Sequence, residues 1–267
     1  MSLELGSRVV DLSRFDDYPI NFRGVVNRHE FNWGMLTQPP YSEWIIDGVL
    51  TTFHLALICW VLALTLGIMI GVCRVSNSRI LRFWGTAYVE VFRNIPLLVQ
   101  LFIWLFVIPQ LLPEDFSSWW NRLDAVPYWT AVVGISFYTS SRVAEQIRSA
   151  IMAIPQGQFK AALSTGLTPF QMYRYVIMPY ALRIIIPAIT SEFLTVFKNT
   201  SLALTIGVME ITATTRKIEA WSFRGIEAYA VASLTYVLTT LLVITLMTWL
   251  EKKYHIPGLI KRDTGHH

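Results

Sequence analysis

The chain of 267 residues is 54% hydrophobic and only 15% charged, with a mean hydropathy of +0.45, an apolar content that excludes an ordinary soluble domain and places it in a membrane. Its net charge of +4 and pI near 9.1 come from Lys and Arg dispersed between apolar runs, without the basic stripe of a nucleic-acid binder. Chemistry is also thin. Cys59 and Cys73 share one apolar segment with no second pair to complete a metal site, so they read as free thiols. No G-x-x-x-x-G-K-[ST], H-E-x-x-H or G-x-S-x-G occurs, so the chain offers no nucleotide loop, metalloprotease pair or nucleophile elbow. Energy for any work must come from elsewhere.

Residues 1–46 are polar and acid-rich with no apolar run near the start, and are expected to lie as a tail on one membrane surface. The segment 48–73 contains no Asp, Glu, Lys or Arg and is long enough to cross about 30 Å of hydrocarbon at 1.5 Å per residue. Arg74, Arg79 and Arg82 follow in a short loop. A second span begins near Phe83, carries Glu90 and Arg93, and continues as the uncharged run 94–113; Pro96 should kink or break it. A short acidic loop with Glu114, Asp115 and Asp124 leads to a third span over 126–147, whose end carries Arg142, Glu145 and Arg148 at helix-face spacing for an ion-pair set. A fourth span begins near Tyr180, is interrupted around Lys198, Asn199, Thr200 and Ser201, and resumes over 202–209. After a polar loop with Arg216, Lys217 and Glu219, the uncharged run 228–250 is the fifth span, and Lys252, Lys253, Lys261 and Arg262 close the chain.

With five spans, twelve Lys and Arg near the span ends fall on one face and four on the other, so the positive-inside bias puts the N-terminus outside and the C-terminus in the cytoplasm. The predicted domains are a periplasmic tail over 1–46, a membrane domain over 47–251 and a cytoplasmic tail over 252–267.

Between the third and fourth spans runs QFKAALSTGLTPFQMYRYVIMPYALR, residues 158–183, within a loop over 152–180 on the cytoplasmic face. Pro155 and Pro179 bracket it. Gly166 and Pro169 divide it into two short helical pieces, with Thr168 as cap of the second and Gln171 completing a capping box. Alone, this reads as a surface hairpin; in the cytoplasm, beside a chain with no nucleotide site, it reads as a knob on which a partner pushes. Ionisable groups at membrane depth are the other candidates, since each costs about 2.5–3.5 kcal/mol at a helix centre. Arg93, beside Asn94, either pairs with Glu90 or Glu145 to hold the bundle or grips a carboxylate near Pro96. Lys198, followed by Asn199, Thr200 and Ser201, either snorkels to the interface or presents an anion with a broken helix. Several of the tryptophans lie near span ends, as interface anchors do.

The stretch 160–179 resembles the EAA motif of ABC importer permeases: Ala161 and Ala162, three residues, Gly166, nine residues, then Val176, Met178 and Pro179 in the I-x-L-P ending. Lys160 departs from it, standing where the motif has Glu. YVEVFRNIPLLVQLF at 88–102, SRVAEQIRSAIMAIPQGQ at 141–158 and FKNTSLALTIG at 197–207 are similar to the polar amino acid branch of that family. With Asn32-Trp33-Gly34 and the ending Leu250-Glu251-Lys252-Lys253, the pattern is most similar to the glutamate/aspartate permeases, over about 31–258.

The resemblance implies an all-α, type I (MetI-like) permease fold with five membrane helices and cytoplasmic coupling helices, in a bacterial inner membrane. It implies a second permease subunit, identical or sister, a cytoplasmic ATPase dimer that binds ATP and Mg, and a periplasmic solute-binding protein. The chain itself would hold no cofactor and catalyse nothing. Ala161, Ala162, Gly166, Thr168, Arg174 and Pro179 are the expected coupling residues, and Arg93, Asn94, Lys198, Asn199, Thr200 and Ser201 the expected substrate-pathway residues. The same machinery carrying glutamine, histidine, arginine or cystine is the alternative, and an ion-driven transporter working alone a further one.

Overall fold

The computed structural model describes residues 2–5, 8–11 and 31–253. Residues 12–30 of the expected periplasmic tail, and 254–267 of the expected cytoplasmic tail with Lys261 and Arg262, lie outside the described residues. Near the N-terminus, β1 (Ser2–Leu5) and β2 (Arg8–Asp11) pair antiparallel with Leu3 opposite Val10, an element the sequence reading had not assigned.

Everything else with regular structure among the described residues is helical. α1 (Tyr41–Val75) is followed by α2 (Arg79–Asn94) and α3 (Leu97–Leu111), then α4 (Glu114–Asn121), α5 (Val126–Met152), α6 (Gln156–Ser164), α7 (Pro169–Ile206), α8 (Ile211–Ser222) and α9 (Gly225–Lys253). α1, α7 and α9 are each long and apolar enough to cross a membrane, and α2 with α3, bent by 102°, makes a fourth crossing if the bent pair is one span. The expected third span, α5, does not qualify on length and composition, so the five-span count is not reached that way. The reason is what lines it. Thr130, Ser136, Thr139, Ser140 and Ser141 are buried against other helices, and a helix enclosed by protein needs no lipid-facing apolar surface.

Of the kink or break expected at Pro96, the structure has the break. Ile95 and Pro96 are extended, and the carbonyls that α2 leaves unpaired are met by Gln100, whose Nε2 donates to Phe92 O at 2.6 Å and Ile95 O at 2.9 Å. Prolines elsewhere act differently. Five-residue π-turns at Ile103–Val107 and Tyr173–Ile177 directly precede Ile108-Pro109 and Met178-Pro179. In each turn the residue before the proline donates five residues back, to Ile103 O and Tyr173 O, so the wider ladder carries the helix past a residue with no N–H. Pro179 therefore does not bracket the coupling stretch, and the helix that carries the fourth span begins at Pro169, eleven residues before the expected Tyr180.

Two more expectations change. The stretch 210–224, expected as a polar loop, holds α8, capped by Glu210 and pinned where Lys217 Nζ sits 3.6 Å from the Trp44 ring centroid. The acidic loop after α3 holds α4, with Glu114 and Asp115 in its first turn where the helix dipole favours them.

The tightest helix pair is α1 with α5. Cys59, Ala63, Gly67 and Gly71 recur every four residues along α1, and this small-residue stripe lets α5 approach until a Cβ at Gly67 would lie 2.6 Å from Val143 Cγ1. One core gathers Leu55, Cys59, Leu101, Ile135, Phe197 and Ala203; a second joins the end of α5 to α6 and the start of α7.

Candidate functional site

The expected coupling stretch is a two-piece corner. α6 ends at Gly166, whose φ of +76° is the left-handed conformation that glycine adopts without strain, and Thr168 then starts α7. The capping box forms as expected: Thr168 Oγ1 accepts from Gln171 N at 3.3 Å, and Gln171 Oε1 accepts from Thr168 N at 2.9 Å. Pro169 occupies the first helical position, where no donor is lost.

One side of this corner is anchored and the other bare. Ala162, Met172 and Ile177 are buried against Ile147, Ala150, Ile154 and Ala181, which ties the corner to α5 and α7. Ala161, Gly166, Thr168 and Arg174 are exposed, Pro179 is half-buried, and Phe170 stands 76% exposed at the tip with Leu163 and Tyr175 beside it. A soluble tip has no reason to display such side chains unless another surface covers them.

Two charged clusters hang on α5. In the first, Arg142 grips Glu192 of α7 through Nε–H to Oε2 at 2.9 Å and Nη2–H to Oε1 at 2.8 Å, and Gln146 Nε2 donates to Oε1 at 2.8 Å. Glu192 is 3% exposed, and a carboxylate so buried is tolerated only when its oxygens are paired. Arg142 was expected to pair with Glu145 three residues on; it reaches across to α7 because a buried acid there lacks any other cation. An acid alone in an apolar run, as Glu192 is, marks a buried carboxylate, but the sequence does not say which arginine meets it.

The second cluster centres on Glu145, which pairs with Arg74 of α1, with Arg148 at 2.7 Å and, more distantly, with Arg93 of α2 at 3.9 Å. Sequence reasoning treated Arg74 as a loop cation marking topology. It is instead nearly enclosed, with a side chain 7% exposed.

Among the described residues, no hydrogen bond or ion pair joins Arg93 and Asn94 to Lys198, Asn199, Thr200 or Ser201. Arg93 is 49% exposed and its 3.9 Å contact with Glu145 leaves most of its five donors unused. Asn94 Nδ2 donates back to Glu90 Oε2 at 2.9 Å and to Glu90 O at 2.8 Å. The expected interruption at 198–201 is a change of pitch: α-helix passes to 3₁₀-helix at Thr200 and ends at Gly207, φ +90°. No backbone donors are freed there. Thr200 is fully buried with its hydroxyl donating to Phe197 O, and Ser201 donates to Lys198 O. Lys198 is exposed and makes no ion pair with the described residues; Asn199 is half-buried beside it.

A family described as "Binding-protein-dependent transport system inner membrane component" matches residues 63–256, from the middle of α1 past the end of α9, coupling corner and both clusters included. The chain belongs to this family. Among relatives of this permease, the Glutamate/aspartate import permease protein GltJ of Escherichia coli (strain K12) is 39% identical over 238 residues, 86% of this chain and 97% of that one. The Glutamine transport system permease protein GlnP of the same organism is 29% identical over 227 residues, 85% and 99% of the two chains. A crystal structure of an amino acid ABC transporter with histidines superposes with a TM-score of 0.73 at 26% identity, over 84% of the permease and 99% of that chain. The MetNI methionine ABC transporter in an inward facing conformation gives 0.64 at 19% identity, over 81% and 98%, which shows a shared fold. This is an amino-acid permease component of an ABC import system, with an all-helical, MetI-like membrane architecture.

Proposed function

We propose that this permease moves glutamate or aspartate inward by alternating access, driven by ATP that a separate subunit hydrolyses. The observation that carries the substrate is the 39% identity to a glutamate/aspartate import permease along nearly its whole length. Five crossings are assigned: α1, the bent pair α2 and α3, α5, α7 and α9. The N-terminus then faces the periplasm and the C-terminus the cytoplasm, with the coupling corner inside. A second permease subunit, like or sister, completes the pathway, two ATPase subunits hold ATP and Mg, and a periplasmic binding protein delivers the amino acid. The exposed tip at Phe170, fixed from behind by Ala162 and Met172, receives the ATPase. ATP-driven closure of the ATPase dimer turns the corner, and α5 and α7 move with it.

Arg93 and Lys198 are the contacts proposed for the substrate carboxylates, because each is a cation with donors to spare next to a helix break or change of pitch. Two parallel guanidinium hydrogen bonds match a carboxylate, and an ammonium adds a point charge. Reconstituted with its partner subunits, the importer is expected to take up glutamate with ATP, and excess aspartate to compete. A second reading keeps all of this machinery and changes the cargo to glutamine, which the 29% identity to a glutamine permease favours. Competition by glutamine that matches aspartate would select that reading.

A further inference from the structure

Between the turn that follows α1 and the end of α5 lies a cavity of about 430 Å³, lined by the guanidinium side chains of Arg74, Arg82 and Arg148 together with Thr86, Gln156 and Tyr173. No carboxylate of the described residues lines it. Behind its wall Glu145 holds Arg74 and Arg148 and stands 3.9 Å from Arg93, so one negative charge answers three positive ones before Arg82 is counted. Arg74, 7% exposed, keeps its buried Nε without a hydrogen-bond partner. Arg82 is exposed, donates one Nη1–H to Ser76 O at 3.3 Å, and forms no ion pair with the described residues. Positive charge in this surplus, part of it enclosed, is stabilised by an anion.

We propose that this cavity binds a phosphate-bearing anion, the headgroup of an anionic phospholipid. Guanidinium forks match phosphate oxygens two at a time, and hydroxyl and amide groups at Thr86, Gln156 and Tyr173 supply further donors. Basic pockets between membrane helices on the cytoplasmic side are where such headgroups seat. A lipid is favoured over a soluble phosphate by the helix that carries Arg82: the same α2 presents Ile80, Phe83 and Trp84 64–70% exposed, a basic and apolar surface suited to the membrane interface, and Met152 is exposed at the cavity wall. The headgroup would join the α1–α2 turn, the end of α5, the start of α6 at Gln156 and the π-turn of α7 at Tyr173. Membrane charge thereby sets the resting position of the coupling corner, whichever amino acid is carried.

The test uses the complete importer, this chain with its partner subunits, and counts bound phosphatidylglycerol and phosphatidylcholine by native mass spectrometry. Wild type is expected to retain phosphatidylglycerol preferentially, Arg82→Glu to lower that retention about tenfold, and Arg82→Lys to keep it. Equal retention by wild type and Arg82→Glu overturns the proposal, and because Arg82 is exposed its replacement does not threaten folding. Inorganic phosphate that displaces the lipid and stays bound assigns the cavity to a soluble anion and overturns the lipid source; persistence of the lipid in its presence supports it. Retention that appears only after the ATPase subunits are stripped shows that an acidic protein surface fills the cavity, and also overturns it.

Discussion

Helix α5 carries two charged clusters built on opposite rules. At Glu192 one buried carboxylate has one arginine and one amide, with both of its oxygens paired, and the cluster locks α5 to α7. At Glu145 one carboxylate faces Arg74, Arg148 and Arg93, and cations outnumber it. The first arrangement is a strut; the second leaves charge available to something not yet in the cluster. What separates them is the balance of charge around each acid, since both contain short ion pairs.

The largest expected effect breaks the strut. Arg142→Ala strands Glu192 with only Gln146, and should cost about 3 kcal/mol, the low end for removing one partner of a buried pair because Arg142 is itself 38% exposed. Thermal unfolding of the purified permease measures it, and the double change Arg142→Met with Glu192→Leu should recover most of the loss. Unchanged stability in the single variant would mean that the pair is cosmetic.

Next come the cations with donors to spare. Arg93→Ala and Lys198→Ala should each lower glutamate uptake about ten- to hundredfold with the subunits still assembling, as losing a charge-assisted hydrogen bond of about 1.5–3 kcal/mol would. Uptake unaltered in both removes them from the pathway. Gly166→Asp places a side chain at φ +76°, a strain of about 1–2 kcal/mol in the corner, and should leave ATP hydrolysis running while transport falls. Transport still coupled to hydrolysis in that variant would end the account of the corner as a lever.

The smallest effect completes the comparison between the clusters. Arg148→Ala leaves Glu145 with Arg74 and Arg93, so its cost should stay below about 1 kcal/mol, as for a partly exposed pair. A loss as large as that from Arg142→Ala would erase the distinction between strut and surplus.

Much of this was legible in the sequence. The capping box at Thr168, the helix stop at Gly166 and the interruption at Pro96 depend on local residue chemistry, and each was predicted from it. The EAA-like spacing, local too, pointed to the family that the comparisons then showed. Long-range choices were not legible. Nothing local told Arg142 to pass over Glu145 for Glu192, fifty residues on, because that choice is made by which acid the packing buries. Pro179 looked like a boundary because a proline normally stops a helix, and only the π-turn before it lets α7 run through. α5 was placed as a third span from its apolar run, yet its hydroxyl-rich surface is explained only by the helices around it.

The central claim, that this permease passes force from an ATPase to the inward movement of an acidic amino acid, is tested most directly by uptake in proteoliposomes holding the complete importer. ATP enclosed on the coupling-corner side should drive accumulation of labelled glutamate, excess aspartate should abolish it, and excess glutamine should leave it unchanged. Uptake that persists without ATP or without the ATPase subunits, or that glutamine suppresses as fully as aspartate, would contradict the account.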